Sequence, residues 1–268
     1  MMVKYTTTDH TFAVCAYKES PYLEECIKSL FAQKKKSNVI MITSTPCDYI
    51  SNMAYKYDIP LYINTGERGI AQDWNFAYRC ARTQLVTIAH QDDVYTDEYL
   101  QTILIKLNRQ ERPLIAFTNY GEIRDGQRIE KNRLLNVKRI MLFPLQNLKL
   151  QRSCFVRRRI LSMGSAICCP SVTLVKNLLP QSVFESGYRS NVDWQAWERI
   201  SKLQGAFVYC KEILMYHRIH SDSTTTEIIA DHDRSKEDFD MFCKFWPKSI
   251  ARLVERLYCK GEESNTLD

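Results

Sequence analysis

Glycine is scarce and poorly placed for phosphate binding: 8 glycines occur in 268 residues, and none lies in "CAYKESP", the stretch that closes the first apolar run. No GxGxxG follows that run and no P-loop is present, so a dinucleotide or a triphosphate cannot be cradled on a glycine-rich turn. Ten cysteines are scattered with no CxxC pair, mostly inside apolar strand or helix patterns. They read as reduced core residues, which argues against both a disulfide framework and a zinc site. No uninterrupted apolar run approaches the length of a bilayer span, and "MMVKYTTTDH" lacks the apolar centre of a secretory signal. A cytoplasmic protein is expected.

What remains is an ordinary globular composition, 45% hydrophobic and 25% charged. It suits one large domain, or one domain with an appendage. The net charge of +6 is modest for the length, and the basic clusters "KKK" (34–36) and "RRR" (157–159) have no interleaved aromatics. Nucleic acid is therefore not an expected partner; an anionic membrane or a phosphorylated substrate ranks higher. The three arginines read either as a solvated strand edge or as contacts for an anionic acceptor, such as a lipid diphosphate at a membrane surface.

The first half alternates. "TFAVCAY" (11–17), "VIMIT" (39–43), "IPLYIN" (59–64) and "LVTIA" (85–89) are short apolar runs, each followed by a segment with apolar residues at helical spacing. In the first of these helices Ser20 and Pro21 look like N-cap and first turn. Four strand and helix units imply a parallel sheet with helices on both faces, which binds ligands at the carboxyl ends of its strands. After "LIAFTNY" (114–120) an Asp125-Gly126 hairpin turn is expected, then a basic stretch without clear period to about residue 163, read as a loop-rich insertion over the site. A strand at 165–169, a helix near 172–179, a helix at 193–205 and the strands "AFVYC" and "ILMYH" complete the core. Apolar stripes from Asp231 to Tyr258 predict two amphipathic helices broken at Pro247. These serve either as a docking element for a membrane or a partner subunit, or as part of the chain's own core, the latter favoured.

At the end of the fourth strand, "IAHQDDVYTDEYL" (88–100) places Asp92 and Asp93 side by side. Neighbouring carboxylates repel, and the strain is tolerated where a cation or a sugar hydroxyl occupies the site. Without a glycine-rich cradle, the other common way to hold a diphosphate is a divalent cation bridged from carboxylates, and this element supplies them. The plain alternative is a solvated turn that starts the next helix, but Thr96 and Asp97 already serve that purpose.

The order of "TFAVCAYKESPYLEECIKSLFAQ", "IAQDWNFAYRCARTQLVTIAHQDDVYTDEYL" and "NVDWQAWERISKLQGAFVYCKEILMYHRIHSDSTT" resembles the family 2 glycosyltransferases, inverting enzymes of GT-A fold, over residues 11 to about 226. The resemblance implies an α/β fold with a nucleotide-binding half (1–120), an acceptor-side half (121–226) and a C-terminal helical extension (227–268). It implies a hexosyltransferase working with Mn2+ or Mg2+, on a nucleotide-sugar donor, expected to be a UDP-sugar, and an acceptor that is a glycan or a glycosylated molecule, in a polysaccharide or glycoprotein pathway. Ala16, Tyr17 and Glu19 fall where the family cradles the nucleotide base. "HQDD" stands at its DxD-type motif, "VDW" at the acidic residue of its ED motif, and "YHRIHSDS" at its closing R-x-H stretch. By that correspondence Asp92 meets the ribose, Asp93 and His220 the metal, Arg218 the departing diphosphate, and Asp193 is the base that deprotonates the acceptor hydroxyl. As plain structure, Asp193 would instead cap the helix "WQAWERIS", a role one carboxylate can combine with the other.

Two departures stand out. Where the family has an acidic element after its second strand, this chain has "TSTPCD", leaving uracil contacts to the hydroxyls of Ser44 or Thr45. The first position of the DxD-type element is His90. Asn75 and, less directly, Asp73 lie near the expected nucleotide, although Trp74, Phe76 and Ala77 read as a core face. Trp194 and Trp197 read as core before sugar platform. Rival functions are a basic α/β module on nucleic acid or an anionic membrane, and a non-catalytic partner subunit of the same fold.

Overall fold

The computed structural model describes residues 4–220 and 233–263, and side chains in the second stretch from 235 to 258. The expected boundary at residue 226 lies outside the described residues. Strands β1 (His10–Ala16), β2 (Asn38–Thr43), β3 (Leu61–Ile63) and β4 (Leu85–His90) alternate with helices α1 (Leu23–Phe31), α2 (Asp48–Lys56), α3 (Ile70–Cys80) and α4 (Tyr99–Leu107). Between β4 and α4 lies the two-residue strand β5 (Val94–Tyr95), and after α4 come β6 (Pro113–Arg124) and β7 (Gln127–Ile129). Helices α5 (Arg133–Leu142) and α6 (Cys154–Leu161), strand β8 (Val172–Val175), helix α7 (Val192–Ser201), strand β9 (Ala206–Ile219), and helices α8 (Asp233–Cys243) and α9 (Lys248–Glu263) follow.

Among the described residues one sheet runs in the order β3-β2-β1-β4-β8-β6-β9-β5, with β7 paired to β6. β1 to β4 are mutually parallel where they pair, as their uninterrupted apolar character predicts. Beyond β4 the sheet is mixed: β8 is antiparallel to β4 and β6, and β9 is parallel to β6. Two buried clusters cover its two faces. One holds Phe12, Val14, Leu23, Ile27 and Leu100 beneath α1, α2 and α4; the other holds Ile88, Phe117, Leu174, Trp194 and Trp197 beneath α3, α6 and α7. Both tryptophans have no exposed surface, so they are core and not a sugar platform.

Several expectations are corrected. Ser20 does not cap α1: the helix begins at Leu23, and the Ser20 hydroxyl and carbonyl accept from Tyr22 and Leu23 in the turn before it. The aperiodic stretch after the Asp125-Gly126 hairpin is helical rather than loop-rich, because Leu135, Leu142, Ile160 and Leu161 are spaced to bury one face of α5 and α6. No strand forms at 165–169; the strand is β8, where the sequence pattern suggests a helix near 172–179, since three of the four residues in Val-Thr-Leu-Val are β-branched and the run is fully buried between β4 and β6. "AFVYC" and "ILMYH" are one strand, β9, irregular at Lys211, whose carbonyl accepts from Asn119 Nδ2 at 2.6 Å.

The arginine cluster lies on α6 and not at a strand edge. Arg157 is buried and closes the end of α7, donating to the carbonyls of Ser201 (3.0 Å), Leu203 (2.8 Å) and Gly205. Those are orphan acceptors at a helix C-terminus, where a cation is favoured. Gly205 is required there: its φ is +144°, and a Cβ would lie 2.5 Å from the Arg112 carbonyl oxygen.

The C-terminal helices close the core. Met241, Phe242 and Ala251 are fully buried in the same cluster as Trp194, and Trp246 Nε1 donates to the Ser162 carbonyl at 2.9 Å. Phe242→Ala should therefore cost about 3–5 kcal/mol of stability. Removing everything after Ala230 should yield an aggregated product, read by size-exclusion chromatography; a soluble truncated chain with the native melting temperature would show that the helices are dispensable to the core.

Candidate active site

The parallel strands end on one edge, and the expected site residues gather there unevenly. β4 ends at His90, opposite Cys15 in β1. The next residue, Gln91, bonds the Tyr17 main chain twice, accepting from its N–H and donating to its carbonyl, both at 2.9 Å. Lys18 N–H donates to Thr45 Oγ1 at 2.7 Å. These bonds pin the loop after β1 between the ends of β4 and β2. Ala16 is buried there, while Tyr17 and Glu19 are exposed on the loop.

Beneath this rim, Asp73 accepts from Ser44 Oγ and Asn64 Nδ2, both at 2.7 Å. Ser44 is buried with its proton committed, and Thr45 is the partly exposed hydroxyl of the pair. Asn75 is buried and spends its amide on the segment before α7, donating to the Phe184 carbonyl (2.6 Å) and accepting from Val183 (3.0 Å) and Phe184 (3.1 Å). It braces the segment before α7 against α3.

The register of β5 on β9 builds the centre. Val94 pairs antiparallel with Tyr216, so Asp93 and Asp92 fall beside His217 and Arg218. Asp93 is fully buried; its Oδ1 lies 2.8 Å from His217 Nδ1 and accepts from Arg218 N–H at 3.0 Å. Its Oδ2 has no hydrogen-bond partner and faces His90 Nδ1 at 3.7 Å. Asp92 is partly exposed, and its Oδ2 lies 3.0 Å from His220 Nε2. The expected division of labour, with the second aspartate on the metal, is not the one that burial favours: Asp93 is enclosed by protein, whereas Asp92 and His220 reach the open side.

Arg218 was expected on the leaving diphosphate. It is mostly buried: Nε donates to the Asp92 carbonyl (3.0 Å), a terminal nitrogen pairs with Glu25 (2.5 Å), and the guanidinium lies 4.3 Å from the Tyr22 ring centre. It ties β9 to α1. The His220 ring rests on the other partner of that tie, 5.1 Å from the Tyr22 ring centre.

His217, Gln91, Tyr22 and Glu25 had not been anticipated. Burial, the largest single influence, would lower His217, but the carboxylates around it, Asp93 first and then Asp92 and Glu122, together outweigh it and hold the imidazole up at about 9. His90 is the opposite case: burial pushes it down to about 4, and the neutral ring stacks on Trp74 at 5.0 Å.

Asp193 sits in the first turn of α7 and is partly exposed. The cap position falls two residues earlier, on Asn191, and Asp193 Oδ1 accepts the Trp194 N–H at 2.7 Å. Asp93 and Asp193 both add to the effect of burial in pushing up the Cys168 and Cys169 thiols at the approach to β8. The other carboxylates near α7 are committed: Glu198 is buried against Arg158 (2.7 Å) and Lys202 (2.8 Å), and Glu185 pairs with Arg199 (2.9 Å).

A parallel sheet bearing paired aspartates just beyond the end of its fourth strand, continued by a mixed sheet whose strand β9 returns a histidine to them, defines a GT-A glycosyltransferase. The chain belongs to glycosyl transferase family 2, whose model matches residues 11–171. Solved structures agree on the fold. S. aureus TarS 1-349 in complex with UDP-GlcNAc superposes with a TM-score of 0.63 at 13% identity, over 92% of this chain and 70% of that one. The mannosyltransferase PcManGT from Pyrobaculum calidifontis, in complex with GDP-Man and Mn2+, gives 0.60 at 15% identity over 90% and 64%. Glucosyl-3-phosphoglycerate synthase from Mycobacterium tuberculosis gives 0.55 at 12% identity over 83% and 78%, with Mn2+, UDP and glucosyl-3-phosphoglycerate bound. No curated protein matches.

His217 and Asp93 predict a pH-dependent brace. Because the folded-state pKa of His217 is raised from 6.5 to about 9, the pair's contribution is complete below the ordinary value and is lost as pH climbs through about 9. The melting-temperature gap between the wild type and His217→Gln should be widest in mildly acidic solution and close in alkaline solution; a constant gap would remove the ion pair from the account. Asp93→Asn should lower the melting temperature at neutral pH, since the buried site then loses the charge that His217 faces.

Proposed function

We propose that this glycosyltransferase moves a sugar from a nucleotide diphosphate, with UDP the expected nucleotide, to a hydroxyl of a glycan, glycolipid or glycoprotein, with inversion and with Mn2+ or Mg2+ bound at the site. The observation that carries this reading is the accessible Asp92–His220 pair at 3.0 Å on the ligand edge of the sheet. One carboxylate oxygen and one imidazole nitrogen suit a divalent cation whose remaining positions are filled by diphosphate oxygens and water. Among the described residues no three His, Cys, Asp or Glu side chains are grouped to hold a metal ion. The Oδ2 of Asp93 and Nε2 of His90 are buried without a hydrogen-bond partner, and a cation at this edge would offset the buried charge of Asp93. Such a cation would neutralise the diphosphate and favour its departure.

In this reading Asp92 and His220 hold the cation, and Asp93 holds the strand that presents His220. The two aspartates thus exchange the roles that resemblance alone gives them. Thr45, Tyr17 and the main chain of residues 16–19 line the nucleotide side, with Ser44 fixed behind by Asp73. UDP is supported by the bound ligands of TarS and of the phosphoglycerate-glucosylating relative, whereas the mannosyltransferase carries GDP-Man.

Asp193 serves as the base. The acceptor hydroxyl gives its proton to Asp193 while its oxygen bonds to the anomeric carbon. The bond from that carbon to the diphosphate breaks, and the electron pair leaves with the nucleotide. Attack on the face opposite the leaving group inverts the configuration. Glu185 and Glu198 are poorer candidates, being held by arginine and lysine partners.

Asp92→Asn and His220→Ala should each weaken UDP binding in manganese by calorimetry while leaving the melting temperature without ligand near that of the wild type. Asp193→Asn should keep donor binding and lose about two to four orders of magnitude in transfer rate. Metal-dependent hydrolysis across a panel of nucleotide sugars identifies the donor. Unchanged UDP affinity in both metal-side variants would overturn the reading.

A further inference from the structure

Charge is distributed unevenly along the chain. From Lys131 to Phe184 there are ten Lys or Arg and no Asp or Glu, although the whole chain carries only +6, so the remaining residues sum to −4. Several of these cations do structural work: Arg157 closes α7, Arg158 pairs with Glu198, and Lys138 and Arg139 bond Tyr120. Others, including Lys131, Arg133 and Lys149, are exposed around α5 and α6, as is Arg152, which pairs with Glu111.

The same two helices expose large apolar side chains. Ile140 is 73% exposed, Phe143 66%, Phe155 72% and Met163 53%. Phe155 and Met163 line, with Met141, Pro144 and Val156, one open apolar depression of about 280 Å³ between the end of α5 and α6, and Ile140 and Phe143 are the chain neighbours of its lining residues Met141 and Pro144. Beside it α9 approaches α6, where a Cβ on Gly164 would lie 2.6 Å from the Tyr258 ring, and that helix adds exposed Leu253 and Leu257. Folding gains nothing from aromatic and aliphatic side chains held in water, and a contiguous patch of them rimmed by cations marks a contact surface.

We infer that the α5–α6 face docks on an anionic lipid bilayer, lying in the interface plane with Ile140, Phe143, Phe155 and Met163 at the acyl boundary and the surrounding cations among the headgroups. Charge complementarity selects this occupant. A second copy meeting the same face in a symmetric contact would oppose two surfaces on which the cations Lys131, Arg133 and Lys149 outnumber the acid Glu111, which pairs with Arg152 at 3.3 Å. A bilayer supplies both an apolar layer for the aliphatic side chains and fixed negative charge for the rim. Among the described residues no helix is long and apolar enough to cross a membrane, and an interfacial surface needs none. The inference is independent of how the donor site is assigned.

Co-sedimentation of the full chain with vesicles tests it, comparing phosphatidylcholine alone with phosphatidylcholine containing phosphatidylglycerol. The chain should pellet with the anionic vesicles, less so at high salt, and hardly with the neutral ones. Ile140→Glu with Phe155→Glu should weaken that binding at least about tenfold, and Lys149→Gln with Arg152→Gln by several-fold, with melting temperatures unchanged. Equal pelleting with both vesicle types, wild-type binding by both double variants, or a concentration-dependent dimer dissolved by Ile140→Glu with Phe155→Glu would each overturn the inference, the last assigning the face to a second copy.

Discussion

The buried carboxylate of Asp93 is the contact on which the candidate site depends. A charge without exposed surface is strongly disfavoured unless it is paired and hydrogen-bonded, and here one oxygen receives both the His217 ring and the Arg218 main chain. That contact fixes the last strand of the sheet against the end of β4 in a single register. With the register set, Arg218 reaches Glu25 and Tyr22 on α1, and His220 arrives beside Asp92. One buried charge thus aligns three segments remote in sequence, and the open edge between them receives the accessible carboxylate and imidazole.

Asp92 and Asp93 lie in the short turn between β4 and β5, where one side chain is buried and the other partly exposed. The sequence shows the pair without showing which is which. Resemblance assigned the metal to Asp93, and burial reverses the preference, because the direction is set by β5 pairing with β9 across more than a hundred residues. The same long-range pairing hid His217: in "YHRIH" nothing local distinguishes a histidine facing a buried carboxylate from one facing solvent. Arg218 was read as a ligand contact because a guanidinium suits a diphosphate. Its planar fork equally suits Glu25 and the Tyr22 face, and that use is visible only once α1 lies beside β9.

Elsewhere legibility followed the strength of the local pattern. The four opening strands and their helices have clean periods and clear breakers, and they form close to where they were read. The Asp125-Gly126 hairpin forms because both residues accept positive φ, 50° and 77°. The middle of the chain misled because its signals were weak or double: "SVTLV" is as apolar as a short helix, and its identity as β8 comes from neighbours on both sides that no local rule supplies. The cationic composition of 131–163 masked the helical spacing of its few buried leucines and isoleucines.

The two sides of the site are held by different means. The proposed nucleotide side is built on the ends of β1, β2 and β4 and is tied by main-chain contacts through Gln91 and Thr45, so it inherits the rigidity of the sheet. Asp193 stands on α7, and the turn before α7 is held by the C-terminal helices: Glu237 on α8 accepts from the main-chain amides of Arg189, Ser190 and Asn191 and from the Ser190 hydroxyl, while Asp238 accepts from Asn191 Nδ2. Burial would raise the Glu237 carboxyl, but these donors together hold it below its ordinary value, as expected for a carboxylate gathering amides ahead of a helix. α8 is therefore more than a cover for the core. It sets the entry to the helix that carries the proposed base, so the acceptor side is positioned by a segment that follows β9 in sequence, and the two halves of the site depend on separate parts of the chain.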